Sequence, residues 1–236
     1  MTIPAPEFLP TLDDVAADDL VVIGLRKHTE GPQIFSRALS ESVSALLADA
    51  AVAIGAEGGM DSTWRVPAPA GLSAKGVVLV GMGEEAPTAD TLRAVAGFAA
   101  QSVKKPERLV FALAHDNATE HEAILEGAIL GSYRTDKVTA DKKDTTPRIA
   151  LVGELTEESV SRIVTQCEAV FTVRNLVTTP PNMLNPVSFV TEVEKLAKDT
   201  TLSVEILDEK ELEKQGFGGI TAVGKGSINP PRLMIL

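Results

Sequence analysis

Apolar residues in this chain come in two rhythms. Short continuous runs stand at Leu20–Leu25, Val77–Val80, Leu109–Leu113 and Ile149–Val152, bounded by polar or glycine positions. A run apolar at every position is a strand buried on both faces, as in a sheet covered by helices. Between the runs the spacing changes to three and four. Leu39, Val43, Leu46 and Leu47 form one helical stripe after Ser36, and Leu92, Val95, Ala96 and Ala99 another after Thr88. A third opens at Thr119–Glu122, where Thr and Glu three apart predict a capping box, and buries Ile124, Leu125, Ala128 and Ile129. Alternation of this kind predicts an α/β domain with a mostly parallel sheet flanked by helices. Residues 1–19, rich in Pro and Asp, are expected to lie loosely on the surface or to pair at a sheet edge.

After the fourth run the pattern lengthens. Val160, Ile163, Val164, Cys167, Val170 and Phe171 follow the 3.6-residue repeat across Thr156–Val177, and Pro180-Pro181 ends it. This long helix reads as a domain connector. Asn185-Pro186 starts a new helix, because a proline at the first helical position gives up an N–H that had no partner there. A strand over Leu202–Ile206, a short helix from Asp208 with Glu211, a flexible turn at Gly216, Gly218 and Gly219, and a strand over Arg232–Leu236 complete the pattern. The expected layout is an N-terminal α/β domain over 1–155, a connecting helix over 156–179, and the incomplete start of a second α/β domain over 180–236. Under 60 residues is little for an independent core.

Composition narrows the function classes. Hydrophobic residues make up 44% and aromatics only 4%, so the core must be built mostly of aliphatic side chains. A net charge of −11 argues against nucleic acid, whose phosphates demand Lys and Arg, and against anionic membranes. Cys167, the single cysteine, rules out an internal disulfide and fits a reducing compartment. No apolar run reaches the roughly 18 residues of a membrane span, and MTIPAPEFLPTLDD lacks a signal-peptide pattern. A soluble cytoplasmic protein is expected.

Few positions invite chemistry. Gly81-Met82-Gly83 follows a strand as a phosphate loop would, but the third glycine is missing and Glu84 and Glu85 would repel a pyrophosphate, which favours a tight turn. His115-Asp116 and His121-Glu122 suggest a metal or acid–base pair; turn formation at Asp116 and Asn117, with His121 and Glu122 in an exposed first helical turn, is the simpler explanation. Cys167 on its apolar stripe reads as a small hydrophobe, Lys142-Lys143 as solvated, and Ser62 and Ser73 lack a nucleophile elbow. Val223-Gly224-Lys225-Gly226 is the most tempting: either a Gly-flanked lysine approaching a ligand or metal, or a tight connection with Lys225 in water.

Three segments together resemble the leucyl aminopeptidase (cytosol aminopeptidase) family. They are EGAILGSYR at 126–134, RNLVTTPPN at 174–182 and AVGKGSINPPRL at 222–233. The resemblance implies a macro-domain-like N-terminal domain, a connecting helix and a C-terminal catalytic domain. It implies two divalent metal ions, Mn or Zn, held in motifs resembling VGKGITFDSGG and NTDAEGR, and cytosolic release of N-terminal residues, preferentially Leu, by a homohexamer acting on peptides. Lys225 is followed by Ser227-Ile228-Asn229-Pro230, so it matches the earlier family segment, where the lysine is not a ligand. No catalytic, cofactor-binding or metal-binding position of the family carries over, and the chain alone is expected to be inactive and metal-free. A non-catalytic assembly or DNA-binding module, or an ADP-ribose or nucleotide-binding macro-like domain, are the alternative readings.

Overall fold

The structure, a computed structural model, describes residues 3–104, 108–134, 146–198 and 200–236. The polar segment 138–146, with Lys142 and Lys143, lies outside the described residues except for Thr146. The chain divides into two compact units, Met1–Thr172 and Val173–Leu236.

The first unit is a seven-stranded mixed sheet. Its strands are β1 (Glu7–Leu9), β2 (Leu20–Arg26), β3 (Gln33–Phe35), β4 (Thr63–Val66), β5 (Gly76–Gly81), β6 (Arg108–Phe111) and β7 (Arg148–Val152). The order is β1-β7-β6-β2-β5-β4, parallel throughout except for β4 on β5, while β3 pairs antiparallel with the end of β2. All four apolar runs are strands of this sheet. Sequence patterning misses β3 and β4, which are short and only partly buried. Residues 7–9 take the sheet-edge alternative, pairing in parallel with β7.

Helices cover both faces. Val21, Ile23, Val77 and Leu79 point to the side where α1 (Glu41–Ala53) buries Val43, Leu47 and Ala51. Val22, Val78, Leu109 and Leu151 point to the other side, against α2 (Ala89–Ser102), α3 (Ala118–Gly131) and Ile163, Cys167 and Phe171 of α4 (Glu157–Thr178). Three expected features shift. Helix α1 is capped by Ser40, so Leu39 precedes it, and Leu46 is exposed on its outer face. Val170 likewise turns outward from the stripe of α4. Helix α3 is capped two residues early: Asn117 Oδ1 accepts from Glu120 N at 3.0 Å, and Glu120 returns to Asp116 N at 2.7 Å. With Asn117 as the cap, the third helical position is Glu120, so its carboxylate, and not that of Glu122, sits beside the helix entrance.

Helices α2 and α3 meet backbone to backbone. A Cβ at Gly127 would lie 2.0 Å from the Arg93 carbonyl oxygen, and one at Gly131 would lie 2.1 Å from that of Gly97. Glycines four apart fall on one face of α3, and the missing side chains are what let the helices approach so closely. Charge and capping reinforce the seam. Arg93 Nε donates to Glu126 at 2.6 Å, and Arg134 donates to the Ala100 and Val103 carbonyls at the end of α2, at 2.9 and 3.2 Å. Tyr133 packs edge-on against Phe171 with ring centroids 5.1 Å apart. The segment EGAILGSYR is therefore a docking motif for α3.

At the opposite end of the strands, Arg108 bridges β6 to the start of β2 and to β1. Its Nε donates to one oxygen of buried Asp19 at 3.0 Å and its Nη2 to the other, and Glu7 takes a third N–H.

In the second unit, Asn185 and Ser188 form a reciprocal capping box at the start of α5 (Pro186–Ala197). Strand β8 spans Glu205–Leu207, later than the alternation suggested, and pairs antiparallel with β9 (Leu233–Ile235). Asp208 caps α6 (Glu209–Lys214) through Lys210 N and Glu211 N. The glycines at 218 and 219 do not form a flexible turn but open a helix, α7 (Gly218–Gly224); with no atom within 4 Å of an added Cβ, they meet no steric demand there.

The seam gives a sharp expectation. Gly127→Ala or Gly131→Ala must push the backbones of α2 and α3 apart and should cost about 3 kcal/mol or more of stability in urea melts of the 236-residue chain. Gly59→Ala, where an added Cβ meets nothing within 4 Å, should change it by less than about 0.5 kcal/mol. Equal effects at the two kinds of position would contradict the steric reading.

Candidate functional site

Among the described residues, no group of three or more His, Cys, Asp or Glu side chains could hold a metal ion. Lys225 is exposed at the C-terminal end of α7, and its N–H donates to the Thr221 carbonyl at 2.9 Å. The glycine before it answers to packing: a Cβ at Gly224 would lie 2.6 Å from the Pro231 ring. Pro231 belongs to the same motif, so VGKG and NPPR are two sides of one local contact.

The loop at Gly81-Met82-Gly83 cannot cradle a phosphate, because its amides are already in use. Gly81 N donates to Ser62 O at 2.9 Å, Met82 N to Leu25 O at 3.0 Å and Gly83 N to Gly58 O at 2.9 Å. A nest for an anion needs such N–H groups unspent. Gly81 is glycine because the Gly59 carbonyl passes 1.8 Å from where a Cβ would sit, and Gly83 has φ of +76°. Glu84 is drawn to Lys27, with Nζ–Oε1 at 3.0 Å. Ser62 donates to the Gly59 carbonyl, Ser73 is exposed, and the Cys167 thiol is buried.

The histidines are where sequence and structure diverge. His121 is not in an exposed first turn: it is 4% exposed and stacked on His115, with ring centroids 4.1 Å apart and planes 12° from parallel. Capping at Asn117 puts position 121 beyond the first three helical residues, and its ring lies beneath Gly153, where an added Cβ would touch it at 3.0 Å. Stacked parallel rings cannot direct two nitrogens at one ion, so a metal shared by the pair is excluded geometrically. Burial holds the His121 imidazole down to about 4; charge on His115 adds to this and a hydrogen bond to the Glu154 backbone opposes it. Its Nε2 is buried without a hydrogen-bond partner among the described residues. Glu122 turns away to α4. A hydrogen bond from Ser159 and the neighbouring Arg162, at 2.7 Å, hold its carboxyl below the usual range.

His115 also lines a cavity of about 520 Å³ at the carboxyl ends of β1, β6 and β7. Thr11, Arg37, Leu113, Val152 and Gly153 contribute to its wall. Crevices beyond the carboxyl ends of parallel strands are where open α/β sheets bind ligands. Arg37 spans the mouth: Nη1 donates to the His115 carbonyl at 2.9 Å and Nη2 to the Asp116 carboxylate. Neither Arg37 nor Gly153 is legible as a site residue in sequence, since each stands alone in a loop. The one available signal is a glycine immediately after a buried strand, at Val152-Gly153.

The neutral state of His121 makes stability depend on pH. Its native value is depressed, so the unfolded chain takes up the proton first; the contribution is complete above about pH 6.5 and is lost as pH falls towards 4. Between pH 7.5 and 4.5 the wild-type chain should lose about 2–3 kcal/mol more than His121→Phe in parallel denaturant titrations. Identical pH profiles would show that His121 is not held neutral by the fold.

Comparison with known proteins places both units. Residues 20–142 match the N-terminal domain of the cytosol aminopeptidase family, and residues 171–236 match its catalytic domain. A probable cytosol aminopeptidase of Rhodococcus jostii is 38% identical over 232 residues, covering 92% of this chain and 45% of that protein. Another from Nocardia farcinica is 39% identical over 236 residues, covering 92% and 46%. Among solved structures, the bottromycin maturation enzyme BotP aligns with TM-score 0.69 at 26% identity, covering 93% of this chain and 45% of BotP. A tomato leucine aminopeptidase mutant aligns with TM-score 0.76 at 21% identity, covering 99% and 50%, and supports the fold. The chain spans just under half the length of the curated relatives it matches. With N-terminal and catalytic patterns matched in that order along one sequence, the chain belongs to the cytosol aminopeptidase family.

Proposed function

We propose that this chain forms the N-terminal domain and the opening elements of the catalytic domain of a metal-dependent aminopeptidase. The whole protein would release N-terminal residues, preferentially Leu, from peptides in the cytoplasm, as a homohexamer using two divalent ions such as Mn or Zn. The observation that carries this reading is the ordered pair of family matches, 20–142 and 171–236. Support for the metal comes from BotP, 26% identical, which is known in complex with Mn. No described helix is long and apolar enough to cross a membrane, which is compatible with a cytoplasmic enzyme.

The described residues do not fit the metal pair. No cluster of three metal-ligating side chains is present among them, and Lys225 stands exposed at a helix end. Peptide hydrolysis by such enzymes needs ions that polarise the carbonyl and lower the pKa of water, and no step of that chemistry is assigned to a residue of this chain. Its role is architectural: Gly224, Pro231 and the β8–β9 pair build a scaffold in the second unit, while the first unit supplies a folded domain.

The test is hydrolysis of leucine p-nitroanilide by the purified 236-residue chain with Mn²⁺ or Zn²⁺ and with EDTA. No turnover above buffer is expected in either condition. Metal-dependent hydrolysis abolished by EDTA would overturn the assignment of this chain as the non-catalytic portion.

A further inference from the structure

We infer that the cavity at the carboxyl ends of β1, β6 and β7 is a binding site for a small organic anion, a compact apolar body carrying one terminal phosphate or carboxylate. The first ground is charge. The protein carries −11, yet among the described residues no carboxylate lines this cavity, whereas Arg37 and His115 do; Asp116 pairs with Arg37 without lining the wall. The comparable cavity of about 560 Å³ beside α1 has the opposite character, with Asp13 in its wall and no cationic side chain among the described residues. A hollow whose wall holds a guanidinium and, among the described residues, no carboxylate concentrates anions locally on an acidic domain.

The second ground is the donor inventory. A guanidinium has five N–H donors in a fixed fork, and Arg37 commits one to the His115 carbonyl and one to Asp116. The remaining donors suit a bidentate anion. Asp116 is exposed, so its ion pair with Arg37 is weak and exchangeable. The His115 carbonyl meanwhile anchors the guanidinium at the cavity mouth.

The third ground is shape. Leu113, Val152 and neighbouring alanines supply an apolar wall, and the volume falls within the range of small-molecule sites. The wall is also fixed from beneath. His121 stacks on His115 and touches Gly153, so both of these lining residues rest on one buried ring. Rigid walls with a few convergent polar groups distinguish a binding site from a surface dimple.

Three probes with one aromatic ring test this on the 236-residue chain by ¹H–¹⁵N correlation spectra: phenyl phosphate, 3-phenylpropionate and uncharged 3-phenylpropan-1-ol. At millimolar concentration, at least one anion should shift the amides of Ala114, His115, Val152 and Gly153 saturably, and the alcohol should not. Response to the phosphate alone or the carboxylate alone identifies which anion the site prefers. Arg37→Glu should weaken the responding anion at least tenfold. Arg37 is exposed, so the fold should tolerate this change, and Ala38→Phe gives an independent steric block. Absence of saturable shifts with both anions, an equal response to the alcohol, or undiminished binding by Arg37→Glu would overturn the inference.

Discussion

Two helices in the N-terminal unit touch through their backbones, and the placement of much else follows from that contact. Gly127 and Gly131 leave no side chain between α3 and the carbonyls of Arg93 and Gly97 on α2. The layer between these helices and the sheet is mostly aliphatic, as a chain with 4% aromatics requires. Arg134 then reaches the last carbonyls of α2, and Tyr133 reaches Phe171. The same docking fixes the rotation of α3, and with it the burial of His121 beneath His115 and Gly153. Packing at one end of a helix thereby shapes the cavity floor at the other.

Two of the three segments that resemble the family make defined packing contacts in this chain. EGAILGSYR is a helix-docking surface, with Glu126, Gly127, Gly131, Tyr133 and Arg134 each in a distinct contact. In AVGKGSINPPRL, Gly224 makes room for Pro231, and Arg232, just before β9, pairs with Glu209 at the start of α6. A glycine-flanked lysine looks like chemistry because glycine permits close approach to a ligand. Here the thing approached is a proline ring.

Much of the fold was legible because burial leaves a strong pattern. Strands β2, β5, β6 and β7 are central and apolar on both faces, and Leu92, Val95, Ala96 and Ala99 face one layer. Elements that do not bury a full face left no such mark. Strand β1 pairs at an edge over three residues, β3 and β4 are partly exposed, and α7 begins on two glycines that read as a turn. Sequence misplaces the cap of α3 because both Asn117 and Thr119 can open a helix, and local sequence does not rank them. That two-residue shift decided whether His121 was exposed or buried. The cavity was not legible at all. It joins Thr11, Arg37, His115 and Gly153 from four separate loops, and only the sheet brings them together.

If the glycine seam holds the N-terminal unit together, α2, α3 and the central strand must open as one. Native-state hydrogen exchange on the 236-residue chain tests this residue by residue. Amides of Val95, Ala96, Leu125, Ala128 and Ile129 should share the opening free energy of Val21 and Val22 in β2, rising and falling with them in denaturant. Exchange of the α3 amides through a separate, lower-energy opening, with α2 and β2 still protected, would show that the seam is a local contact and not the one on which the unit depends.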